Sequence, residues 1–198
     1  IGRIFCHYFK TLRNLKIKVS LIKDWRCIIK IKKKINIERK SKMKIIECKD
    51  LTKEYISSDS TVKAVDNVSI SFEQGEFCAV TGPSGSGKST LLHILSSLEN
   101  ATSGYVIYGE KRLSDYSDNQ LSILRRRRFG FVFQAYNLVN ELTGYENIIL
   151  PIMLDKKKVD EKYIDKIISM LGIEDRLSHL PSALSGGQQQ RIAIARAL

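Results

Sequence analysis

The run Gly82-Pro83-Ser84-Gly85-Ser86-Gly87-Lys88-Ser89 fits the pattern G-x-x-x-x-G-K-[ST] at every fixed position. These residue types suit the binding of a polyphosphate. Glycines let successive backbone amides converge into an anion-binding nest, and a helix beginning at Lys88 adds the partial positive charge of its N-terminus. Lys88 supplies a mobile point charge for β- and γ-phosphates, the Ser89 hydroxyl is a magnesium ligand, and Thr90 falls one step further on, near an α-phosphate. Further along, Leu184-Ser185-Gly186-Gly187-Gln188 sets a serine and two glycine amides at the start of another predicted helix. That arrangement is a second anion site. Two such sites in one domain require a reason.

Both sites need elements that hold a loop or a helix end open to a ligand. Short strands are predicted at 44–48 and 62–72, then a turn at Glu73 to Glu76. A buried strand, Phe77 to Thr81, feeds the glycine-rich loop and a helix from Lys88 to about Leu98. Strand, glycine loop and helix form the context that a phosphate loop demands. Residues 102–104 turn into a strand at 105–108, and the next helix has Ser117 and Gln120 at capping-box spacing. Phe129 to Phe133 reads as a second buried strand. A helix capped by Thr143, with Glu146 three residues on, and another from Val159 to Leu171, stopped by Gly172, follow it. Ser185 and Gln188 repeat the capping-box spacing. Alternating strands and helices predict an α/β domain over residues 43–198, with a helical subdomain at about 135–185.

A chain of 198 residues, 43% hydrophobic and 27% charged, has the composition of one globular domain rather than a disordered or membrane-spanning one. Its formal net charge of +12 suggests a nucleic-acid partner until the charge is located. Residues 1–42 carry 14 Lys and Arg against 2 acids, and residues 43–198 carry 19 of each. The domain is neutral, so no nucleic-acid partner is expected for it. The basic segment is either an arm for anionic lipid or nucleic acid, or sequence foreign to the mature protein. The second reading is preferred, because the first methionine is Met43 and a neutral domain complements no such arm. Cys6, Cys27, Cys48 and Cys78 lack metal-ligand spacing and read as reduced thiols. Arg125 to Arg128 read as a solvated helix end facing the C-terminal dipole, and His93 as a packing or surface residue.

A Leu-Ser-Gly-Gly-Gln run after a phosphate loop resembles the ATP-binding cassette (ABC) family over residues 43–198. The stretches 130–138 (GFVFQAYNL), 142–147 (LTGYEN) and 184–198 (LSGGQQQRIAIARAL) are similar, more narrowly, to bacterial macrolide-export, lipoprotein-release and antimicrobial-peptide-resistance ATPases. The resemblance implies a P-loop NTPase fold with an antiparallel β subdomain and an α-helical signature subdomain, binding ATP and Mg2+. It implies a two-fold dimer in which Ser185, Gly186, Gly187 and Gln188 of one subunit close over the γ-phosphate held by residues Gly82 to Thr90 of the other. Gln134 matches the family's Q-loop glutamine, implied to approach the magnesium and the attacking water and to link the site to a transmembrane partner. Lys88 and Gln134 are thus the implied catalytic residues, and Ser89 and Gln134 the implied metal ligands. Tyr55 resembles the aromatic residue that stacks on adenine. A separate permease that exports or extracts amphiphilic molecules is the implied partner, which places the chain peripherally on the cytoplasmic face of the plasma membrane.

Family members continue past the signature helix into a strand ending in a magnesium-binding aspartate and a catalytic glutamate, followed by a switch histidine. Chain order places these after Leu198, so Asp175 and His179 do not take their roles, and the C-terminal part of the domain is read as missing. The 198 residues are expected to bind nucleotide without turnover, as part of a full-length parent that hydrolyses ATP, and to leave an open hydrophobic edge beside strand 77–81. Two other readings stay open: a soluble ABC ATPase acting on ribosomes or nucleic acid, and a non-catalytic regulatory cassette.

Overall fold

The computed structural model describes residues 43–198; the basic segment, with Cys6 and Cys27, lies outside the described residues. The chain divides into two compact units, the first ending at Tyr116 and the second running from Ser117 to Leu198.

In the first unit, β1 (Lys44–Ile56) and β2 (Thr61–Glu73) form an antiparallel hairpin. β3 (Ser103–Tyr108) pairs with the other edge of β1, and the short β4 (Lys111–Arg112) with β3, so that the sheet order is β2-β1-β3-β4. Cys48 and Leu51 are both fully buried although three residues apart, a spacing that strict alternation would send to opposite faces. A register shift between them, with Asp50 at φ 48°, brings both to the core side. Val65, Val68, Ile70 and Val106 complete that face. Helix α1 (Lys88–Leu95) buries Leu91, Ile94 and Leu95, an i, i+3, i+4 stripe, and packs on β1 and β2. It stops three residues short of the expected Leu98. Ser97 turns left-handed at φ 58°, and the Leu98 and Ser97 amides donate back to the His93 and Ile94 carbonyls, closing a Schellman motif.

Two of the expected strands are not formed. Residues 77–81 and 129–133 form no strand and belong to no sheet, and Phe77 and Val132 are 43% and 41% exposed. An apolar run specifies a buried strand only where a neighbouring backbone completes its hydrogen-bond ladder, and among the described residues none does.

The second unit contains α2 (Asp118–Arg128), α3 (Gly144–Leu154), α4 (Glu161–Leu171) and α5 (Gly186–Ala197). The capping boxes expected at Ser117/Gln120, Thr143/Glu146 and Ser185/Gln188 are all formed, each with reciprocal side-chain and backbone bonds. Gly172, at φ 60°, ends α4. Ile148 from α3, Ile164, Ile167, Ile168 and Leu171 from α4, and Ile192 and Ala195 from α5 form the core.

The four-arginine run is not wholly solvated. Arg126 and Arg127 converge with Lys157 on Asp155, each at 2.9 Å, and the Asp155 side chain is only 4% exposed. The hydrogen bonds from Lys157 and Arg127 outweigh its desolvation and hold this carboxyl far below the usual carboxylate range. Asn147, fully buried, accepts from the Val139 amide at 2.8 Å and donates to the carbonyls of Val139, Leu142 and Thr143, all at 3.0 Å. One side chain thereby satisfies the backbone of the loop that leads into α3.

Candidate functional site

The glycine-rich loop lies in the first unit, between residues 77–81 and α1. Gly85 and Gly87 both have φ 79°, a left-handed conformation that turns the backbone inward. Gly87 is the N-cap of α1. No side chain caps this helix, and its first turn contains no acidic residue. The amides of Lys88, Ser89 and Thr90 therefore face the loop without intrahelical acceptors, which is the donor array that a phosphate would satisfy.

The Lys88 ammonium folds across the loop, donating to the Pro83 carbonyl at 2.6 Å and the Ser86 hydroxyl at 3.2 Å. It is thus held over the nest by neutral acceptors that cannot match an anion in strength. Gly82, Pro83, Ser84, Gly85 and Ser89 are exposed, and Ser86, Gly87, Lys88 and Thr90 are half-buried. No group of three or more His, Cys, Asp or Glu side chains suited to a metal occurs among the described residues. A magnesium ion would accordingly rest on the Ser89 hydroxyl and the oxygens of the nucleotide itself, as its hard, water-retaining chemistry permits.

Close packing fixes this loop against β2: a Cβ placed on Gly87 would lie 1.8 Å from the Ala64 carbonyl oxygen. Two residues before Ala64, Val62 pairs with Tyr55 on β1, so Tyr55 belongs to the hairpin end nearest the loop. Tyr55 is 42% exposed, with the Lys53 ammonium 5.1 Å from the ring centroid. Its hydroxyl donates to Glu99 at 2.7 Å. Burial pushes the Glu99 carboxyl up, but the hydrogen bonds from Tyr55 and Lys53 outweigh it and hold it below the usual range. The ring is thereby fixed in place with part of its surface open, as a platform for a flat base requires.

The run expected to form a second anion site lies in the second unit, at the start of α5. Ser185 Oγ accepts from the Gln188 amide at 3.4 Å, and the Ser185 amide donates to Gln188 Oε1 at 2.8 Å. The cap thus consumes the Ser185 and Gln188 amides and leaves those of Gly186 and Gly187, the first two of the helix, without intrahelical acceptors. Neither glycine adopts a positive φ. A Cβ on Gly187 would meet nothing within 4 Å, and one on Gly186 would only touch Tyr136 Oη at 3.6 Å.

Gln134 is exposed, in a turn that follows residues 129–133. The next residues are unusual: Tyr136 and Asn137 are consecutive left-handed residues at φ 62° and 46°. The Arg196 guanidinium donates to both of their carbonyls, at 2.7 Å each. Burial lowers the Arg196 pKa, though the group stays charged. Gln134 and the α5 signature share the second unit, whereas Lys88, Ser89 and Tyr55 share the first. Sequence reasoning missed Asn147, Tyr136 and Arg196. The only local signal for them was an asparagine at position 137, a residue type that tolerates the left-handed region.

A family profile described as ABC transporter matches residues 65–198. The chain is 47% identical over 156 residues to an uncharacterized ABC transporter ATP-binding protein of Methanocaldococcus jannaschii, which covers 78% of this chain and 70% of the relative. It is 43% identical over 158 residues to the macrolide export ATP-binding/permease protein MacB of Mannheimia succiniciproducens, covering 79% of this chain but 25% of the relative. Among solved structures, a dimeric bacterial ABC transporter cassette aligns with a TM-score of 0.73 at 40% identity, covering 78% of this chain and 69% of the other. The same cassette in a dimeric post-hydrolysis state, bound to ADP and Pi, aligns with a TM-score of 0.72 at 39% identity. These matches, with a glycine-rich loop at 82–89 before a helix without a side-chain cap and a second glycine-lined helix start at 184–188, assign the chain to the ABC transporter family as an ATP-binding ATPase cassette.

Proposed function

We propose that this cassette powers a membrane transporter by closing with a second cassette over two molecules of Mg·ATP, and that the helix start at Gly186 and Gly187 is the half of the site donated to the partner. The observation that carries this reading is the pair of glycines itself. A helical glycine costs about 1 kcal/mol relative to alanine, and here neither backbone conformation nor internal packing demands one. A persistent cost without a local reason fits a surface that another body must approach closely. The dimeric cassette aligned above supports the same reading, as does the fusion of ATP-binding and permease functions in the name of the MacB relative.

In this scheme the β- and γ-phosphates rest on the amides of residues 85–90 and displace Lys88 from the Pro83 carbonyl. Ser89 ligates magnesium, Gln134 approaches the metal and the attacking water, and Tyr55 stacks on adenine. Lys88, a cation, and Gln134, an amide, stabilise charge and orient water, and neither can act as the base that removes a proton from it. The cargo class is amphiphilic, of the macrolide, lipoprotein or antimicrobial-peptide type, and the permease carries it while the cassette stays peripheral on the cytoplasmic face. Among the described residues no helix is long and apolar enough to cross a membrane.

Gly187→Ala tests the scheme. The variant is expected to gain up to about 1 kcal/mol in monomer stability, because alanine is the better helix former. The added methyl occupies the approach path, so the dimer formed with a slowly hydrolysed ATP analogue should weaken by about tenfold or more in analytical ultracentrifugation. Dimerisation equal to that of the parent protein would overturn the trans site.

A further inference from the structure

Helix α5 holds the segment after Gln134 through Arg196. Near its C-terminus, Arg196 donates to the carbonyls of Tyr136 and Asn137 at 2.7 Å each. At its N-terminus, a Cβ built on Gly186 would stand 3.6 Å from the Tyr136 phenol oxygen. The pinned backbone is one that residues of this kind rarely adopt, two successive left-handed positions without a glycine. Among the described residues its amides bond only locally, Tyr136 amide to Phe133 carbonyl at 3.0 Å and Asn137 amide to Ala135 carbonyl at 2.7 Å.

We infer that Arg196 is a positioning residue for the ATPase reaction: its two-pronged hold on the Tyr136 and Asn137 carbonyls fixes the Gln134 turn to the signature helix, so that Ser185–Gln188 and Gln134 move as one body. The inference rests on the role proposed above for Gln134. A guanidinium suits this task because its planar fork reaches two acceptors at once, whereas an ammonium is a compact point charge. The consequence is directional. When the helix start closes on a partner's nucleotide, the turn carrying Gln134 must follow it, and a displacement of Gln134 must shift the helix start.

The experiment compares Arg196→Lys and Arg196→Ala in the full-length protein by hydrogen exchange and by Mg·ATP turnover. Exchange of amides 135–138 is expected to rise by about tenfold in both variants, from the loss of charge-assisted bonds, while amides 189–195 change by less than about twofold. The rise should be smaller in an Asn137→Gly background, where the left-handed turn no longer needs to be held. The turnover number should fall by about tenfold with the KM for ATP nearly unchanged, because the Lys88 loop is untouched. A uniform rise in exchange along α5, or a lysine variant that behaves like the parent, would reduce Arg196 to ordinary structural support and overturn the inference. Local loosening with unchanged turnover would overturn it as well, by showing that the turn plays no part in the reaction. Nucleotide binding by the parent protein reports separately on the functional reading, since the exchange result does not depend on it.

Discussion

Lys88→Ala should weaken binding of Mg·ATP by roughly 100- to 1,000-fold, the loss of two charge-assisted hydrogen bonds to phosphate oxygens at about 1.5–2 kcal/mol each. The effect on folding should be small. In the structure this ammonium bonds only to the Pro83 carbonyl and the Ser86 hydroxyl, within a largely exposed loop. Titration with a fluorescent ATP analogue, alongside thermal melting, separates the two quantities. Affinity within about threefold of the parent, in a variant that melts normally, would contradict the placement of phosphate over this loop. Arginine is not expected to rescue, because its fork is larger and more rigid than the lysine head that now fits between Pro83 and Ser86.

Gly87→Ala should damage the first unit severely, destabilising it by more than about 4 kcal/mol or displacing the whole loop. Two causes act together. A left-handed residue other than glycine costs about 1 kcal/mol, and the new Cβ would lie 1.8 Å from the Ala64 carbonyl oxygen and 2.9 Å from its carbon. Both atoms belong to the backbone of β2, which cannot retreat without breaking its ladder to β1. Gly85→Ala is the internal control. It has the same φ of 79° but nothing within 4 Å, so its cost should stay near 1 kcal/mol. Chemical denaturation of the two variants decides the matter. Equal destabilisation would mean that φ strain alone matters and that the loop does not rest on the strand as described.

The site was legible to the extent that its chemistry is local. The three capping boxes and the glycine stop of α4 each depend on residues within a few positions of one another, and each took the predicted form. Residues 77–81 and 129–133 failed as strands because a ladder is a property of two segments, and an apolar run cannot name its neighbour. The hold of Arg196 on Tyr136 and Asn137, across about sixty residues of chain, was invisible for the same reason. Asn147 was read only as part of the stretch 142–147. That its amide would be sealed in the core and spend all its bonds on the loop at 139–143 is a consequence of packing, which no spacing rule encodes.

The reciprocal caps also bear on the order in which the molecule assembles. In α2, α3 and α5 the residues that start the helix bond one another within a single turn, so nucleation there requires no distant partner. The sheet of the first unit is different, since Ile46 must meet Tyr108 before β3 can join β1, with the whole phosphate loop and α1 between them. Closing that long loop is an entropic barrier that local helices do not face. During refolding, amide protection is therefore expected first in α3 to α5 and only afterwards at the β1–β3 ladder, an order that pulsed hydrogen labelling would reveal or refute. A refolding chain would then hold a formed signature helix before β3 has joined the sheet of the first unit.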